Sequence, residues 1–365
     1  MHLREITIRE LPSFLESELY KGSQVLPLTP ERAASQMNNP RALPDDTILV
    51  VAYTDAGQLA GFAGMLPDTA YCDDGPFRFA WNSGWWVDKE LGKGLALPLF
   101  YRSVQACKGN YMITYLTPHT RKIMELTRLF YFTDPVKAVR LQILSDMSGK
   151  VRRNVTALKA FTMNIAILDR IVNVFLRGRL QRWIKARKNE VPAIAYMEYP
   201  DRDSMDFMER HNQGELCRRG PGEFEWITSF PWLVSRLPYG SKKRYPFSWQ
   251  SPYFSIFWAK ILVGEDIAGI VMLSGREGLF KIPYAYAERG SEARIASGIC
   301  RIMWEKKAKA LYTARKEIIE YLERNAFPVL NRRYSMQELA VSKTISHRHP
   351  ERFFLQDGDG DAVFT

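Results

Sequence analysis

One segment, residues 79–107, constrains the fold of this chain more than any other. It reads FAWNSGWWVDKELGKGLALPLFYRSVQAC. A run rich in aromatic residues, typical of a β-strand, ends at Gly92-Lys93-Gly94, after which apolar residues recur at helical spacing. The pattern therefore predicts a strand, a glycine turn and a helix. Because the first N–H groups of a helix lack partners within it, such a turn can hold a phosphate, and Lys93 adds a cation.

The spacing around this turn is specific enough to separate several phosphate-binding motifs. Neither GxGxxG nor GxxxxGK[ST] can be written here, which argues against a dinucleotide-binding fold and a P-loop. The order V-x-x-x-L-G-K-G-L-A resembles instead the pyrophosphate loop of the GNAT superfamily of acyl-CoA N-acyltransferases, [Q/R]-x-x-G-x-[G/A]. Gly94 and Ala96 match that pattern, whereas Leu91 stands where the family has a polar residue. The resemblance implies that the cofactor-binding residues are Trp86, Val87, Leu91, Gly92, Lys93, Gly94, Leu95 and Ala96.

The flanking segments follow the order of elements in that family. Residues 47–53 and 59–65 read as two strands of a hairpin, residues 112–116 as a short strand and residues 120–128 as a helix. Elsewhere, residues 30–37 read as a short helix opened by Pro30, residues 223–237 read as a helix, and residues 332–342 resemble the closing strands of the family. In the GNAT fold the strand before the loop diverges from the next strand, and the acyl-CoA thioester lies in the gap. We therefore expect acetyl-CoA or another acyl-CoA as co-substrate.

The length of 365 residues predicts two domains, and a similar order of elements begins again after Val191. The second copy carries a single glycine in Arg289–Ala293 and does not fit the phosphate-loop spacing. The resemblance implies an α+β protein of two GNAT-like domains, each a mixed, mostly antiparallel sheet flanked by helices. The predicted segments are an N-terminal domain (1–147), an amphipathic helical linker (148–190) and a C-terminal domain (191–365) with a degenerate phosphate loop and no CoA site of its own. Tandem chains of this kind also resemble the Fem-type aminoacyltransferases.

The linker carries apolar residues at intervals of three and four, including Leu168, Ile171 and Phe175. Such a stripe predicts a helix packed between two domains. The basic ends of the same tract also suit an anionic membrane surface or RNA.

Transfer of an acyl group to an amine needs a base for the ammonium proton but no side-chain nucleophile. Asp88 and Glu90 are the carboxylates nearest the predicted loop, and they are our candidates for the general base. The tyrosine that serves as acid in the family is not matched: Tyr131 comes too late, and Tyr321 lies one residue before the expected position.

Residues 224–258 are dense in aromatic rings. Such a segment either stacks an acceptor or packs in the core, and its candidates for the substrate cleft are Trp226, Trp232, Tyr245 and Trp249. The tail 357–361, DGDGD, lacks the later ligands of a calcium loop and reads as a polar turn before a final strand. No cysteine or histidine cluster has metal-ligand spacing, so we predict no metal.

A net charge of +11 suits anionic partners such as CoA phosphates, acyl carrier protein, transfer RNA or a membrane surface. Scattered cysteines suit a reducing cytoplasm, and no apolar run has the length of a signal peptide or a membrane span. The leading hypothesis is an acyl-CoA-dependent N-acyltransferase, with acetyl as the first candidate acyl group and a small-molecule amine, amino sugar or peptide as acceptor. The alternatives are a Fem-like transferase using aminoacyl-tRNA, which the charge permits but does not favour, and a ligand-binding or scaffolding protein without catalysis.

Overall fold

The computed structural model describes residues 1–154, 162–187, 191–235 and 243–365. Within them the chain forms two compact units, each assembled from several stretches of sequence. Unit 1 comprises Met1–Pro135, Asn212–Phe254 and Gln337–Thr365, and unit 2 comprises Val136–His211 and Ser255–Met336. Each unit contains a mixed sheet of seven strands flanked by helices.

Helices and strands are interspersed along the described chain. In chain order they are β1 (His2–Thr7), α1 (Leu11–Glu16), α2 (Glu18–Gly22), α3 (Pro30–Met37), β2 (Thr47–Tyr53), β3 (Leu59–Cys72), β4 (Gly75–Val87), α4 (Ala96–Ala106), β5 (Tyr111–Ile113), α5 (Pro118–Thr127), β6 (Phe130–Phe132), β7 (Val136–Gln142), α6 (Met147–Asn154), α7 (Thr162–Ala186), β8 (Ala193–Met197), α8 (Arg202–His211), α9 (Pro221–Ser229), β9 (Phe254–Val263), β10 (Asp266–Arg276), β11 (Leu279–Ala287), α10 (Glu292–Glu305), β12 (Ala310–Thr313), α11 (Lys316–Arg324), β13 (Asn331–Gln337) and β14 (Ala340–Ser342).

Each sheet includes one strand from the other half of the sequence. The strand order is β1-β2-β3-β4-β5-β14-β6 in unit 1 and β13-β7-β12-β11-β10-β9-β8 in unit 2. In unit 1, β14 is antiparallel to both β5 and β6. β5 and β6 therefore run parallel, and their connection through α5 leaves open the position that β14 fills. Because strand pairing decides the grouping, the two units differ from the contiguous segments 1–147, 148–190 and 191–365 expected from the sequence.

The sheet of unit 1 is buried on both faces. Every residue of β2 is buried, and successive side chains point to opposite faces of the sheet. Val50 and Ala52 join one apolar cluster with residues of α4 and α5. Leu49 and Val51 join a second cluster with residues of α1 and α3. Unit 2 has one large cluster, to which β7, β10, β11, α10 and α11 contribute.

The local elements predicted from sequence agree with the structure most closely where the pattern is strong. The predicted strand 47–53 and helix 30–37 coincide with β2 and α3. The strand predicted at 59–65 continues as β3 to Cys72, and the helix predicted over 223–237 ends at Ser229. Of the final three residues expected as a strand, Val363 and Phe364 belong instead to a short 3₁₀ turn, Ala362–Phe364.

The predicted linker forms α6 and α7, although residues 155–161 and 188–190 lie outside the described part of the chain. The prediction that its apolar stripe is packed is wrong for α7. Leu168, Ile171 and Phe175 are 48%, 53% and 72% exposed. The packed side of α7 carries Leu180 and the buried Asp169, whose carboxylate accepts hydrogen bonds from the hydroxyl groups and N–H groups at the start of α6.

The two units repeat one local arrangement, which supports an internal duplication. Gly61 pairs with Val87 in unit 1, and Gly269 pairs with Ala287 in unit 2. A Cβ at Gly61 would lie 3.3 Å from Leu95, and one at Gly269 would lie 1.8 Å from Ile295. Gly61 on β3 and Gly269 on β10 therefore let α4 and α10, respectively, pack closely on their sheets.

Candidate functional site

β4 leaves β5 partway along its length. In the described residues the two strands pair only at Ala80 with Tyr111 and at Trp81 with Met112, while residues 82–87 continue to pair with β3. The register with β3 shifts at Ser83 and Gly84, and Gly84 has a φ of +94°. A bulge of this kind bends a strand and increases its twist. The two strands therefore separate in a wedge that begins after Trp81.

The loop that follows β4 is held by its own backbone and by Asp88. The Asp88 carboxylate accepts hydrogen bonds from the N–H groups of Glu90 at 2.9 Å and Leu91 at 3.0 Å. These bonds from Leu91 and Glu90 lower the pKa of Asp88. The N–H of Gly92 donates to the Asp88 carbonyl at 3.1 Å. Gly92 must lack a side chain, since a Cβ would lie 2.2 Å from the Val87 side chain.

Several N–H groups of the loop and of the first turn of α4 have no partner in the described part of the chain, whereas the Leu95 N–H donates to the Gly92 carbonyl at 2.9 Å. Among the described residues no acceptor is found for the N–H groups of Lys93, Gly94, Ala96 and Leu97. Pro98 has no N–H, and no side chain caps α4. Gly94 has a φ of +78° and open space around it. Convergent free N–H groups at a helix N-terminus form a site for an anion such as a phosphate.

The side chains predicted to contact a donor are divided between the core and the surface. Trp86 packs against Phe62, with ring centroids 5.7 Å apart, and Val87 contacts the apolar cluster below α4. Leu95 is buried, whereas Leu91 is 38% exposed. Of the two predicted bases, Asp88 holds the loop, and Glu90 forms an exposed ion pair with Lys93 at 3.0 Å. Their role as general base stays a prediction.

A buried ionic cluster lies beside the point where β4 and β5 separate. Asp68 accepts hydrogen bonds from Arg219 at 2.7 and 3.0 Å, from Arg41 at 2.8 Å and from the Trp81 indole at 2.8 Å. Burial would raise the pKa of Asp68, but the charges of Arg219 and Arg41 lower it to about 2. Arg219 also contacts Asp359 at 3.3 Å. The cluster thereby fixes the C-terminal segment against β3 and β4.

This anchoring places Asp361 at the bulge of β4. The Ser83 hydroxyl donates to the Asp361 carboxylate at 3.1 Å. Gly360, with a φ of +78°, fits closely against Thr114 and Trp81, because a Cβ there would lie 3.3 Å from the Thr114 hydroxyl. Asp361 is half-buried. A carboxylate therefore stands where the wedge between β4 and β5 begins.

Sequence reasoning missed Asp361, because it read residues 357–361 as a polar surface turn. In the structure Gly358, Asp359 and Gly360 are buried. Alternating aspartate and glycine normally indicate a turn, so the sequence contains no local signal of this burial.

Of the four aromatic residues predicted to line a cleft, the structure buries three. Trp226, Trp232 and Trp249 are 5%, 0% and 7% exposed. The Trp226 indole donates to the Ser35 carbonyl at 2.7 Å, and the Trp249 indole donates to Glu31 at 2.8 Å. These side chains support the site by packing.

Tyr245 is the partly exposed member of the group. Its ring stacks on Phe62 with centroids 6.2 Å apart and contacts Phe247 at 5.6 Å. Burial raises the pKa of Tyr245 to about 12, with Arg32 acting in the opposite direction and Asp361 adding to the rise. The hydroxyl therefore stays protonated at neutral pH, in the field of both charged groups.

Unit 2 has the same strand divergence, but the equivalent positions are occupied. β11 pairs with β12 only over Leu279–Lys281 in the described residues, and then diverges. There the Arg315 guanidinium donates to the Ala285 carbonyl at 3.0 Å. The following loop, Glu288–Ser291, is short, and its Gly290 N–H donates to the Glu292 carboxylate at 3.2 Å. In unit 2 the Arg315 side chain therefore lies where the two strands separate, and the Glu292 carboxylate binds an N–H group of the loop.

The buried Asp359 predicts a pH-dependent stability. Burial raises its pKa to about 6, despite the lowering effect of Arg219. Because the folded protein binds this proton more tightly than the unfolded chain does, protonation of Asp359 stabilises the fold. The stabilisation is complete at pH values below the usual pKa of an aspartate, and it is lost as the pH rises through 6. In Asp359→Asn this loss is absent, so the free energy of unfolding of the variant minus that of the wild type is expected to increase by about 1 to 3 kcal/mol between pH 4 and pH 7. Urea unfolding at a series of pH values measures this difference, and a constant difference would contradict the assignment.

Known proteins resemble this chain in structure and not in sequence. No protein-family model matches the chain, and no curated protein matches it in sequence. The structure is similar to N-myristoyltransferase of Saccharomyces cerevisiae with bound myristoyl-CoA, with 9% identity, 93% of this chain and 82% of that chain covered, and a TM-score of 0.50. It also matches a GCN5-related N-acetyltransferase from Kribbella flavida (12% identity, 93% and 70% covered, TM-score 0.47). A third match, to a GCN5-related N-acetyltransferase from Anabaena variabilis, has 9% identity, covers 93% and 72%, and has a TM-score of 0.45.

At these identities the likeness concerns the fold. The chain has the GNAT, or acyl-CoA N-acyltransferase, fold in a tandem form, which confirms the predicted fold class. These structures do not show the expected similarity to Fem-type aminoacyltransferases. The described helices include none with the length and apolar character to cross a bilayer. The described residues also contain no group of three or more acidic, histidine or cysteine side chains arranged to hold a metal ion.

Proposed function

We propose that this chain is an acyl-CoA-dependent N-acyltransferase whose donor site lies in unit 1. The observation that carries the proposal is one continuous arrangement. β4 diverges from β5 after Trp81, and the loop after β4 presents the free N–H groups of residues 93, 94, 96 and 97. The myristoyl-CoA bound in the yeast structure of the same fold supports an acyl-CoA as the donor.

Each part of the donor matches a part of this arrangement. The pyrophosphate binds the N–H groups of Lys93, Gly94, Ala96 and Leu97, where α4 adds its positive end. The extended pantetheine arm binds in the wedge and follows residues 82–87 in the manner of an added strand. The thioester carbonyl then lies near the backbone of Trp86 and Val87, as the resemblance to the family implies. Leu91 adds no polar contact, so affinity depends on the backbone.

Asp361 is the carboxylate best placed to remove the proton from the acceptor amine. It is half-buried and accepts from Ser83 on the bulge of β4, three residues before Trp86 on the strand along which the donor is proposed to lie. The proton of the ammonium passes to the carboxylate, and the nitrogen lone pair then attacks the carbonyl carbon. The C–N bond forms, the C–S bond breaks, and CoA leaves as a thiolate that takes up a proton. No covalent intermediate with the enzyme is needed.

Unit 2 binds no donor in this proposal. The Arg315 side chain lies where β11 separates from β12, and the Gly290 N–H already donates a hydrogen bond to the Glu292 carboxylate. A second pyrophosphate at this loop would face the Glu292 carboxylate. We therefore propose one donor site per chain.

The finer assignments of the acyl group and partners stay open within this proposal. The donor is acetyl-CoA or a longer acyl-CoA, and the acceptor is an amine. A cytoplasmic location, contact with transfer RNA and peripheral contact with a membrane stay predictions from sequence.

The test is a calorimetric titration of the full chain with acetyl-CoA and with octanoyl-CoA. We expect binding of one equivalent, with a dissociation constant of about 1 μM to 1 mM, the usual range for substrates. Desulfo-CoA and the free acyl carboxylic acid serve as probes for the two ends of the donor. Absence of binding by both acyl-CoAs, or binding of two equivalents, would contradict the proposal.

A further inference from the structure

Arg32 is a buried cation that forms no ion pair within the part of the chain that the structure describes. It lies on α3, is 4% exposed, and has no ion-pair partner or side-chain hydrogen bond among the described residues. Its Nε is fully buried and has no acceptor. Its guanidinium carbon lies 4.0 Å from the ring centroid of Trp232 and 5.0 Å from that of Tyr245.

The other buried arginines of unit 1 are treated differently. Arg41 pairs with Asp68 and Glu223, and Arg219 pairs with Asp68 and Asp359. A buried charge without a partner is destabilising, and aromatic rings compensate for it only partly. In the described residues neither the Trp232 indole nor the Tyr245 hydroxyl forms a hydrogen bond with the Arg32 guanidinium. Such a group is ready to bind an oxyanion, and a planar guanidinium binds a carboxylate with two parallel hydrogen bonds.

The position of Arg32 connects it with the proposed base. Trp232, which contacts Arg32, stacks on Phe364 with centroids 4.6 Å apart, and Phe364 belongs to the short turn that directly follows Asp361. Tyr245 contacts Arg32 and lies in the field of Asp361. Arg32 and Asp361 do not form an ion pair with each other within the described residues. A cation and an anion therefore both act on Tyr245 without pairing with each other.

We propose that the acceptor is an amine that carries a carboxylate in the same small molecule, as an α-amino acid does. Arg32 binds the carboxylate, and Asp361 receives the ammonium group. This inference rests on the proposed function and names its substrate class. The reaction is acyl-CoA plus the aminocarboxylate giving the N-acyl aminocarboxylate, CoA thiol and one proton. The amine supplies the electron pair of the new C–N bond, and the thiolate leaves with that of the C–S bond.

The experiment measures CoA thiol release from acetyl-CoA and octanoyl-CoA with matched pairs of acceptors. Each pair compares an amino acid with its decarboxylated amine: tyrosine with tyramine, phenylalanine with phenethylamine, leucine with isopentylamine and glycine with methylamine. We expect the wild type to favour the carboxylated member by about tenfold to a hundredfold in kcat/KM, the usual contribution of a hydrogen-bonded charge. Equal rates within the pairs, or turnover confined to the decarboxylated amines, would overturn the inference.

Variants of Arg32 assign the preference to this residue. In Arg32→Met the ratio of the two kcat/KM values within a pair is expected to fall toward one, and Arg32→Lys should restore part of it because the charge is kept. Arg9→Met is the control for net charge, since Arg9 is 68% exposed and pairs with Asp45 on the surface. A ratio that stays at the wild-type value in Arg32→Met would overturn the assignment.

Calorimetry with acyl-CoA separates this inference from the function on which it rests. If acyl-CoA binds and only amines without a carboxylate react, the function stands and the acceptor class is wrong. If no acyl-CoA binds, the proposed function itself fails. Donor binding by Arg32→Met also shows whether that variant is folded, and the comparison within acceptor pairs needs no variant at all.

Discussion

Replacement of Asp361 by asparagine is expected to lower kcat by about 100-fold to 10,000-fold, the usual effect of removing a general base. The asparagine oxygen can still accept the hydrogen bond from Ser83, so the fold of the segment 356–361 is kept. The amide cannot take up the ammonium proton. Affinity for acyl-CoA should not change, because the donor binds through the backbone of the loop and β4. Steady-state kinetics of CoA thiol release, with calorimetry of donor binding, measures both quantities.

Two carboxylates suggested by the sequence provide the matched comparison. Asp88→Asn weakens the hydrogen bonds that fix the N–H groups of Glu90 and Leu91, so its expected effect is weaker donor binding. Glu90→Gln removes an exposed ion pair with Lys93, which is expected to have little effect. If kcat falls strongly in either of these variants and only slightly in Asp361→Asn, the general base is Asp88 or Glu90 and the assignment to Asp361 is wrong.

Replacement of Gly94 by glutamate is expected to weaken acyl-CoA binding by at least about a hundredfold. A carboxylate at this position lies among the N–H groups of residues 93, 96 and 97 and opposes the pyrophosphate, and like charges in contact cost several kcal/mol. Gly94→Gln separates the charge from the shape of the side chain. Calorimetric titration with acetyl-CoA and octanoyl-CoA gives the dissociation constants.

Unit 2 offers a closely matched control for this substitution. Gly290 has a φ of +84° and open space at its Cβ, as Gly94 has with a φ of +78°. Gly290→Glu therefore introduces the same backbone strain, of about 1 to 2 kcal/mol, and the same charge. We expect it to reduce stability like Gly94→Glu while leaving donor affinity unchanged. Equal loss of binding in the two variants would show that strain, and not a site at Gly94, explains the result.

The sequence predicts those parts of the fold that depend on local pattern. The β2 run TILVVAY is predicted to the residue because continuous apolar, β-branched residues indicate a strand buried on both faces. α3 is predicted because Pro30 opens its first turn, and the structure shows in addition that the Thr29 side chain caps it. The loop after β4 is recognised from Gly92 and Gly94, which the backbone requires for close packing and for a positive φ.

The remaining features depend on contacts between distant parts of the chain. The residues of β14 resemble a strand in the sequence, but their place in the sheet of unit 1 is not predicted, because it depends on the position that β5 and β6 leave between them. Asp361 is part of the site because Arg219 and Asp68 hold the preceding segment against Trp81. The prediction that the apolar stripe of α7 is packed is wrong, because the spacing of apolar residues does not show which face of a helix contacts the rest of the protein.

Amide hydrogen exchange of the full chain, with and without saturating acyl-CoA, tests the central claim most directly. Donor binding in unit 1 predicts slower exchange in peptides that cover residues 82–97, where β4 diverges and the loop N–H groups are free. The same account predicts no change in peptides covering residues 282–296 of unit 2. Protection of residues 282–296, or binding without protection of residues 82–97, would contradict it.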